Sequence, residues 1–208
     1  MSYMNCIDLI TDIARRFINV IEQQPGVHVI PTPEYGWENH RYRSPKFRLA
    51  HVEIFSREKL GVVHCCIFPN VYDPNPIYGF DVIAGENKIT GVFLDLSPTV
   101  SPVEPFLTIN VESNRQRPEW GSIFSEHWLA CRPNIEEMQI IGDEAVKLLS
   151  VYFSKLGDIG DRHSIIGAQN NYCYQQRKNE HTRRALTNLI GAEKTEEFMT
   201  QILFPCIS

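Results

Sequence analysis

The chain has 208 residues, 43% hydrophobic and 11% aromatic, enough to bury a sizeable core, and its length leads us to expect one domain over 1–208. A net charge of −5 argues against general nucleic-acid binding, which calls for a basic domain. No apolar run is long enough to span a bilayer, and the first 24 residues carry Asp8, Asp12, Arg15 and Arg16 in an amphipathic pattern rather than a leader core, so a cytoplasmic protein is expected.

Residues 5–23 read as a helix, with Ile10, Ile13, Ala14, Phe17 and Ile21 at helical spacing, Asn5 as N-cap and Pro25-Gly26 as the stop. Residues 27–43 are polar, aromatic and proline-punctuated, which predicts irregular structure. Strands follow by period-2 alternation at 46–55, 61–69, 76–85 and 88–96, with a polar connection at 56–59 and a turn at Gly85-Glu86-Asn87. Shorter strand-like runs lie at 106–111 and 127–131, and between them 115–121 (Arg-Gln-Arg-Pro-Glu-Trp-Gly) has loop chemistry. Asn134 and Glu137 have the spacing of a capping box, opening a helix whose buried stripe is Met138, Ile141, Ala145, Leu148, Leu149 and Tyr152; Gly157 closes it. From His163 onward the chain is helical in pieces, broken near 176–180 and at Gly191, with Phe198, Ile202 and Phe204 packing back. Grouped strands flanked by helices imply an α+β fold with an antiparallel sheet covered on both faces.

The chemistry concentrates on the middle strands. In 46–55, Phe47, Leu49, His51, Glu53 and Phe55 share one face; His64 shares a face with Phe68; Asp81 shares one with Gly79, whose missing side chain would leave room for a ligand. Antiparallel pairing brings Glu53, His64 and Asp81 within reach of one ligand. Burial raises a carboxyl pKa, lowers that of an imidazole, and proximity couples the two, so such a cluster can hold a proton ready near neutral pH and act as a general acid. A buried Asp–His hydrogen bond can also be purely structural, so titration alone does not prove catalysis. The six cysteines (Cys6, Cys65, Cys66, Cys131, Cys173, Cys206) form no CxxC pair, and we expect reduced core residues with no disulfide framework and no metal site. No GxGxxG or GxxxxGK sequence marks a nucleotide site. Basic residues bunch at Arg41, Arg43, Lys46 and Arg48 and again at Arg177, Lys178, Arg183 and Arg184, which suits an anionic ligand or an acidic partner.

Dispersed segments carry a resemblance. His51-Val52-Glu53, Val63-His64-Cys65-Cys66-Ile67-Phe68-Pro69, Pro76-Ile77-Tyr78-Gly79-Phe80-Asp81, Asp95-Leu96-Ser97-Pro98, Pro118-Glu119-Trp120-Gly121, Asn171-Tyr172-Cys173, Gln175-Gln176 and Thr182-Arg183-Arg184 follow one another as in the ferredoxin-dependent bilin reductases, and the chain resembles the phycocyanobilin-forming branch of that family. The resemblance implies a three-layer α/β/α sandwich that holds biliverdin IXα, an open-chain tetrapyrrole, between the sheet and the C-terminal helices. It implies a monomer with no bound flavin, metal or nicotinamide, fed single electrons by reduced [2Fe-2S] ferredoxin, with heme oxygenase as supplier of the substrate. By the same resemblance Asp81 is the central acid, His64 its partner and Glu53 the donor for the vinyl step. His51, Arg115, Asn179, His181 and Gln176 line the substrate, Arg115 on a propionate. Arg41, Arg43, Lys46, Arg48 and Arg184 are the expected ferredoxin-docking face.

The sequence departs from the family pattern in places. The Glu53 to His64 connection is one residue shorter, His181 replaces a lysine, and Ala185 replaces a larger branched residue. The compact 97–115 region is similar to phage-derived relatives that form phycoerythrobilin, but those lack the glutamate, and Glu53 favours phycocyanobilin as product. The rival expectations are a bilin carrier without turnover and a hydrolase using Glu53 and Asp81 as its acid pair.

Overall fold

A computed structural model describes residues 5–109 and 111–208. Helix α1 (Cys6–Glu22) starts at the expected cap, where Asn5 Oδ1 accepts the Asp8 N–H at 2.8 Å, and it buries the expected stripe together with Cys6, Leu9 and Ile18. Among the described residues the sheet is a seven-stranded antiparallel meander in which every strand pairs with its neighbours in sequence. Its strands are β1 (His28–Val29), β2 (Glu38–Arg43), β3 (Phe47–Arg57), β4 (Leu60–Pro69), β5 (Ile77–Ala84), β6 (Ile89–Ser97) and β7 (Leu129–Cys131).

Three features differ from the sequence reading. Residues 27–43, expected to be irregular, supply β1 and β2. The segment of β2 is polar and buries only Tyr42, so alternation does not reveal it; its backbone pairing with β3, from Glu38 opposite Ile54 to Tyr42 opposite Ala50, makes it a strand. The run at 106–111 forms no strand among its described residues; Phe106, Leu107, Ile109 and Val111 pack half-buried on the core instead, and Asn110 lies outside the description. On β3, Phe47 does not share the face of Leu49. A β-bulge sets Phe47 opposite Pro69 but Leu49 opposite Phe68, which turns Phe47 to the other side, 5.4 Å from the Phe153 ring.

One sheet face, including Ala50, Val52, Ile54, Val63, Cys65, Ile67, Phe80 and Val82, packs on α1 and α2 (Ile135–Lys155). The capping box of α2 is present in both directions, Glu137 N–H to Asn134 Oδ1 at 2.9 Å and Asn134 N–H to Glu137 Oε2 at 2.8 Å. Phe17 of α1 lies edge-on to Phe80 at 5.0 Å and to Tyr78 at 6.2 Å, and the Tyr78 hydroxyl donates to the Ala145 carbonyl of α2 at 2.9 Å. The opposite face meets α3 (Arg162–Gln176), α4 (Glu180–Ile190), α5 (Ala192–Glu197) and a π-helical turn (Phe198–Leu203), with Leu49, Cys66, Phe68, Ile77, Tyr172, Cys173, Phe198 and Met199 in the second core. The molecule is therefore a three-layer α/β/α sandwich with an antiparallel sheet in the middle. Among the described residues all six cysteines are free, and no helix is long and apolar enough to cross a membrane.

Because Phe17 joins α1 to two aromatic rings of the sheet with no exposure of its own, Phe17→Ala is expected to lower stability by about 3–5 kcal/mol, read as a shift of the urea unfolding midpoint at unchanged slope.

Candidate active site

The sheet face under α3 to α5 carries the polar groups in two adjacent rows. One row runs Asn39, Glu53, His64, Asp81, Phe93 across β2 to β6, each opposite the next. The neighbouring row runs Arg41, His51, Cys66, Gly79, Asp95. Period-2 alternation aims all of these side chains to one side, so residues far apart in the chain converge without any loop having to place them. The His64 Nδ1–H donates to Asp81 Oδ1 at 2.6 Å. His51 is oriented by Asn39, with Nε2 3.0 Å from Oδ1, and its ring stands edge-on to His64 at 5.6 Å between centroids. His51, Glu53 and His64 are buried, whereas 43% of the Asp81 side chain is exposed, so Asp81 is the member open to a bound molecule.

The electrostatics separate His51, Glu53 and His64. Burial disfavours charge on His64, but the hydrogen-bonded Asp81 carboxylate and nearby Glu53 outweigh it, and its pKa lies above the usual imidazole value. His51 is driven well below that value by burial first, then by His64, Arg41 and His40, so it stays neutral. Burial pushes Glu53 up to about 7; His64 opposes this and Asp81 adds to it. Near neutral pH, His64 therefore favours its protonated form beside the Asp81 carboxylate, and Glu53, at about 7, can take or give a proton.

The cover over this row comes from the C-terminal third. The Phe204 ring stands edge-on over His64 at 5.9 Å and near Tyr172 at 6.4 Å. The space beside Gly79 is not open as the sequence suggests: a Cβ there would lie 3.6 Å from the Tyr172 hydroxyl, which accepts the Gln176 Nε2–H at 2.9 Å. A Cβ at Gly79 would therefore sit in ordinary van der Waals contact with Tyr172, leaving little free space there. Trp37 closes the Glu53 end, edge-on to Phe55 at 5.9 Å and to Phe198 at 5.3 Å. Among the described residues the buried His51 Nδ1 and His64 Nε2 have no protein partner.

The remaining expected site residues fall in two groups. Arg115 lies beside the row: its guanidinium is 5.0 Å above the ring of Phe93, next in the row to Asp81, in contact range of Gly91. Gln176 faces Tyr172, and Asn179 Oδ1 is engaged as the α4 N-cap, accepting His181 N–H and Thr182 N–H, while the His181 residue is exposed. The basic cluster is divided. Arg43 and Arg184 are exposed, but Arg41 donates to the Gln201 carbonyl at 3.3 Å and Lys46 to the Phe153 carbonyl at 3.1 Å. Arg48, expected on a docking face, points inward instead. It donates from Nε to Gln169 Oε1 at 2.6 Å and from a terminal nitrogen to the Pro205 carbonyl at 3.1 Å, with its guanidinium 4.2 Å above Phe68. With Arg177, which bonds the carbonyls of Thr200 and Phe204, it holds the tail that carries Phe204. Sequence reasoning gave no role to Trp37, Asp95 or Tyr172 and expected Phe204 only to pack back; their aromatic or acidic character marks them, but only the tertiary structure brings them to this face.

A family model for ferredoxin-dependent bilin reductase matches residues 16–205. The phycocyanobilin:ferredoxin oxidoreductase of Trichodesmium erythraeum is 32% identical over 184 residues, covering 80% of this chain and 75% of that protein. The enzyme of the same name from a Synechococcus species is 31% identical over 185 residues with the same coverage. Among solved structures, PcyX superposes with a TM-score of 0.71 at 27% identity over 96% of this chain and 99% of that one. Tomato phytochromobilin synthase in complex with biliverdin has a TM-score of 0.64 at 13% identity over 94% and 81%, a likeness of fold. A match spanning most of the chain, to proteins built on the same covered antiparallel sheet, makes this oxidoreductase a member of the ferredoxin-dependent bilin reductase family.

Proposed function

We propose that this protein reduces biliverdin IXα to phycocyanobilin, taking four electrons singly from reduced [2Fe-2S] ferredoxin and matching them with four protons delivered through its own side chains. The observation that carries the reading is the row Glu53, His64, Asp81, with a proton held between His64 and Asp81 at 2.6 Å and only Asp81 open to a ligand. Each electron added to a conjugated tetrapyrrole creates a basic radical that must be protonated before the next arrives. Asp81 stands at the exposed end of the row to protonate it, and His64 stands behind to replace that proton. Glu53, near 7, supplies the proton for the exocyclic vinyl group; a product that keeps this vinyl, such as phycoerythrobilin, would leave Glu53 without a task. Arg115, held over Phe93, is placed to receive a propionate in its planar fork. No flavin, metal or nicotinamide enters this scheme.

Ferredoxin docks, in this proposal, on the exposed part of the basic set, Arg43 and Arg184, with Arg41 at its edge. Attraction between this patch and an acidic donor offsets the repulsion due to the chain's charge of −5.

Asp81→Asn is expected to keep biliverdin affinity within about threefold, since the side-chain volume is unchanged, but to arrest reduction at a radical stage, visible by absorption and electron paramagnetic resonance under a ferredoxin-reducing system. Full turnover by that variant would exclude Asp81 as the acid, and a single spectral shift without reduction by the wild-type chain would leave a bilin carrier. Because an acid must be protonated to donate, vinyl reduction should fall as pH rises through about 7, and Glu53→Gln should abolish that step at every pH, leaving a vinyl-bearing product on chromatography. The ferredoxin Kd should weaken steadily with added salt between about 50 and 300 mM; indifference to ionic strength would overturn the docking patch.

A further inference from the structure

The substrate-facing side of the sheet holds another acid that the proposed mechanism does not use. Asp95 sits opposite Gly79 and two residues from Phe93 on β6, 5% exposed. Its carboxylate accepts the Ser97 hydroxyl at 2.6 Å, the Ser125 hydroxyl at 2.5 Å and the Ser125 backbone N–H at 3.2 Å. Asp81, with its one imidazole partner and an open side, is built to exchange a proton. Asp95, ringed by donors and closed to solvent, is built to hold position, because a buried carboxylate is tolerated only where such bonds replace its water.

What it holds is the loop 115–125. The same Ser125 offers its carbonyl to Arg117, which also takes the Phe124 carbonyl at 3.2 Å, so Asp95, Ser125 and Arg117 form one connected chain of bonds. Aromatic contacts finish the wall: Phe124 is stacked on Trp128 at 5.4 Å, Trp120 meets Phe124 edge-on at 5.6 Å, and the Arg117 guanidinium lies 5.3 Å above Trp128. At its other end the loop is tied to β7 by the backbone of Arg115 itself, whose N–H donates to the Ala130 carbonyl at 3.2 Å. Asp95 is thus the far tether of the segment whose near end carries the guanidinium over Phe93.

We propose that Asp95 is a positioning residue for bilin binding, acting through the 115–125 loop to hold the Arg115 guanidinium where it meets a substrate carboxylate. This rests on the reading of Arg115 as a propionate ligand. Loss of the tether loosens the loop, so the effect falls on substrate affinity and not on the proton-delivering row, which Asp95 does not touch through any hydrogen bond among the described residues.

The test is a double-mutant cycle read by titrating the intact protein with biliverdin, without an electron donor, and by steady-state turnover with ferredoxin. Asp95→Asn is expected to raise the biliverdin Kd and KM about tenfold with kcat changed less than about twofold, as losing one charge-assisted bond network would do. In an Arg115→Ala background the same change should add less than about twofold, because the residue it acts through is gone. Equal effects in both backgrounds, or a fall in kcat at unchanged KM, would overturn the assignment. An Arg115→Ala variant that binds biliverdin as tightly as wild type would instead remove the propionate reading and this inference with it. Should Asp95→Asn not fold, Ser125→Ala keeps the acid and the Ser97 bond and is expected to weaken binding about threefold, also only when Arg115 is present; unchanged affinity in that variant is the contrary result.

Discussion

The register of β3, β4 and β5 is the constraint on which everything else in this protein depends. Side chains alternate along a strand, so Glu53, His64 and Asp81 share a face only while Glu53 pairs with His64 and His64 with Asp81. A slip of one residue would bury these groups against α1 and α2 and turn Val52, Val63 and Val82 toward the α3 to α5 side. Continuous apolar content on the α1 and α2 face prevents that slip, since the hydrophobic effect favours only one of the two arrangements. The bulge at Phe47 confines the irregularity to the end of β3, beyond the row of Glu53, His64 and Asp81.

Charge inside such a face is costly, and the structure meets that cost in different ways for different residues. His64 and Asp81 are paired, Glu53 can take a proton, His51 stays neutral beside Asn39, and Asp95 is surrounded by serine donors. Of this set, the His64–Asp81 pair and Glu53 are the groups that the proposed proton-coupled reduction draws on. The basic residues show a similar division. Arg48 and Arg177 spend their donors on main-chain carbonyls of the tail, which keeps Phe204 over His64, while Arg43 and Arg184 remain free for solvent or a partner. The C-terminal tail therefore links fold and site: Arg48 and Arg177 fasten it, and Phe204, which it carries, shields the imidazole.

Much of this was legible beforehand because local rules dominate where the pattern is strong. The α1 stripe, the capping box of α2 and the alternation in β3 to β6 each follow from spacing that a single element imposes on itself. The misses share one cause. β2 is a strand by virtue of the partner it pairs with, the apolar residues 106–109 find core contacts without a ladder, and Phe47 changes face because of one extra residue opposite Pro69. Arg48 looked like surface charge because long side chains usually are, and only the stacked Phe68, Gln169 and Pro205 around it make an interior position tolerable.

By itself the sequence determined which residues can carry protons, that they lie on alternating strands with one oily and one functional side, and, through dispersed motifs, the family to which the chain belongs. The tertiary structure decided which of those groups touch, which are open, and which are spent on holding the fold: Tyr172 in the space beside Gly79, Phe204 over His64, Asp95 on the loop of Arg115. The reason is range. Propensity and periodicity act over a few residues, whereas burial, pKa and hydrogen-bond pairing depend on neighbours brought from distant parts of the chain, as when Arg48 meets Pro205.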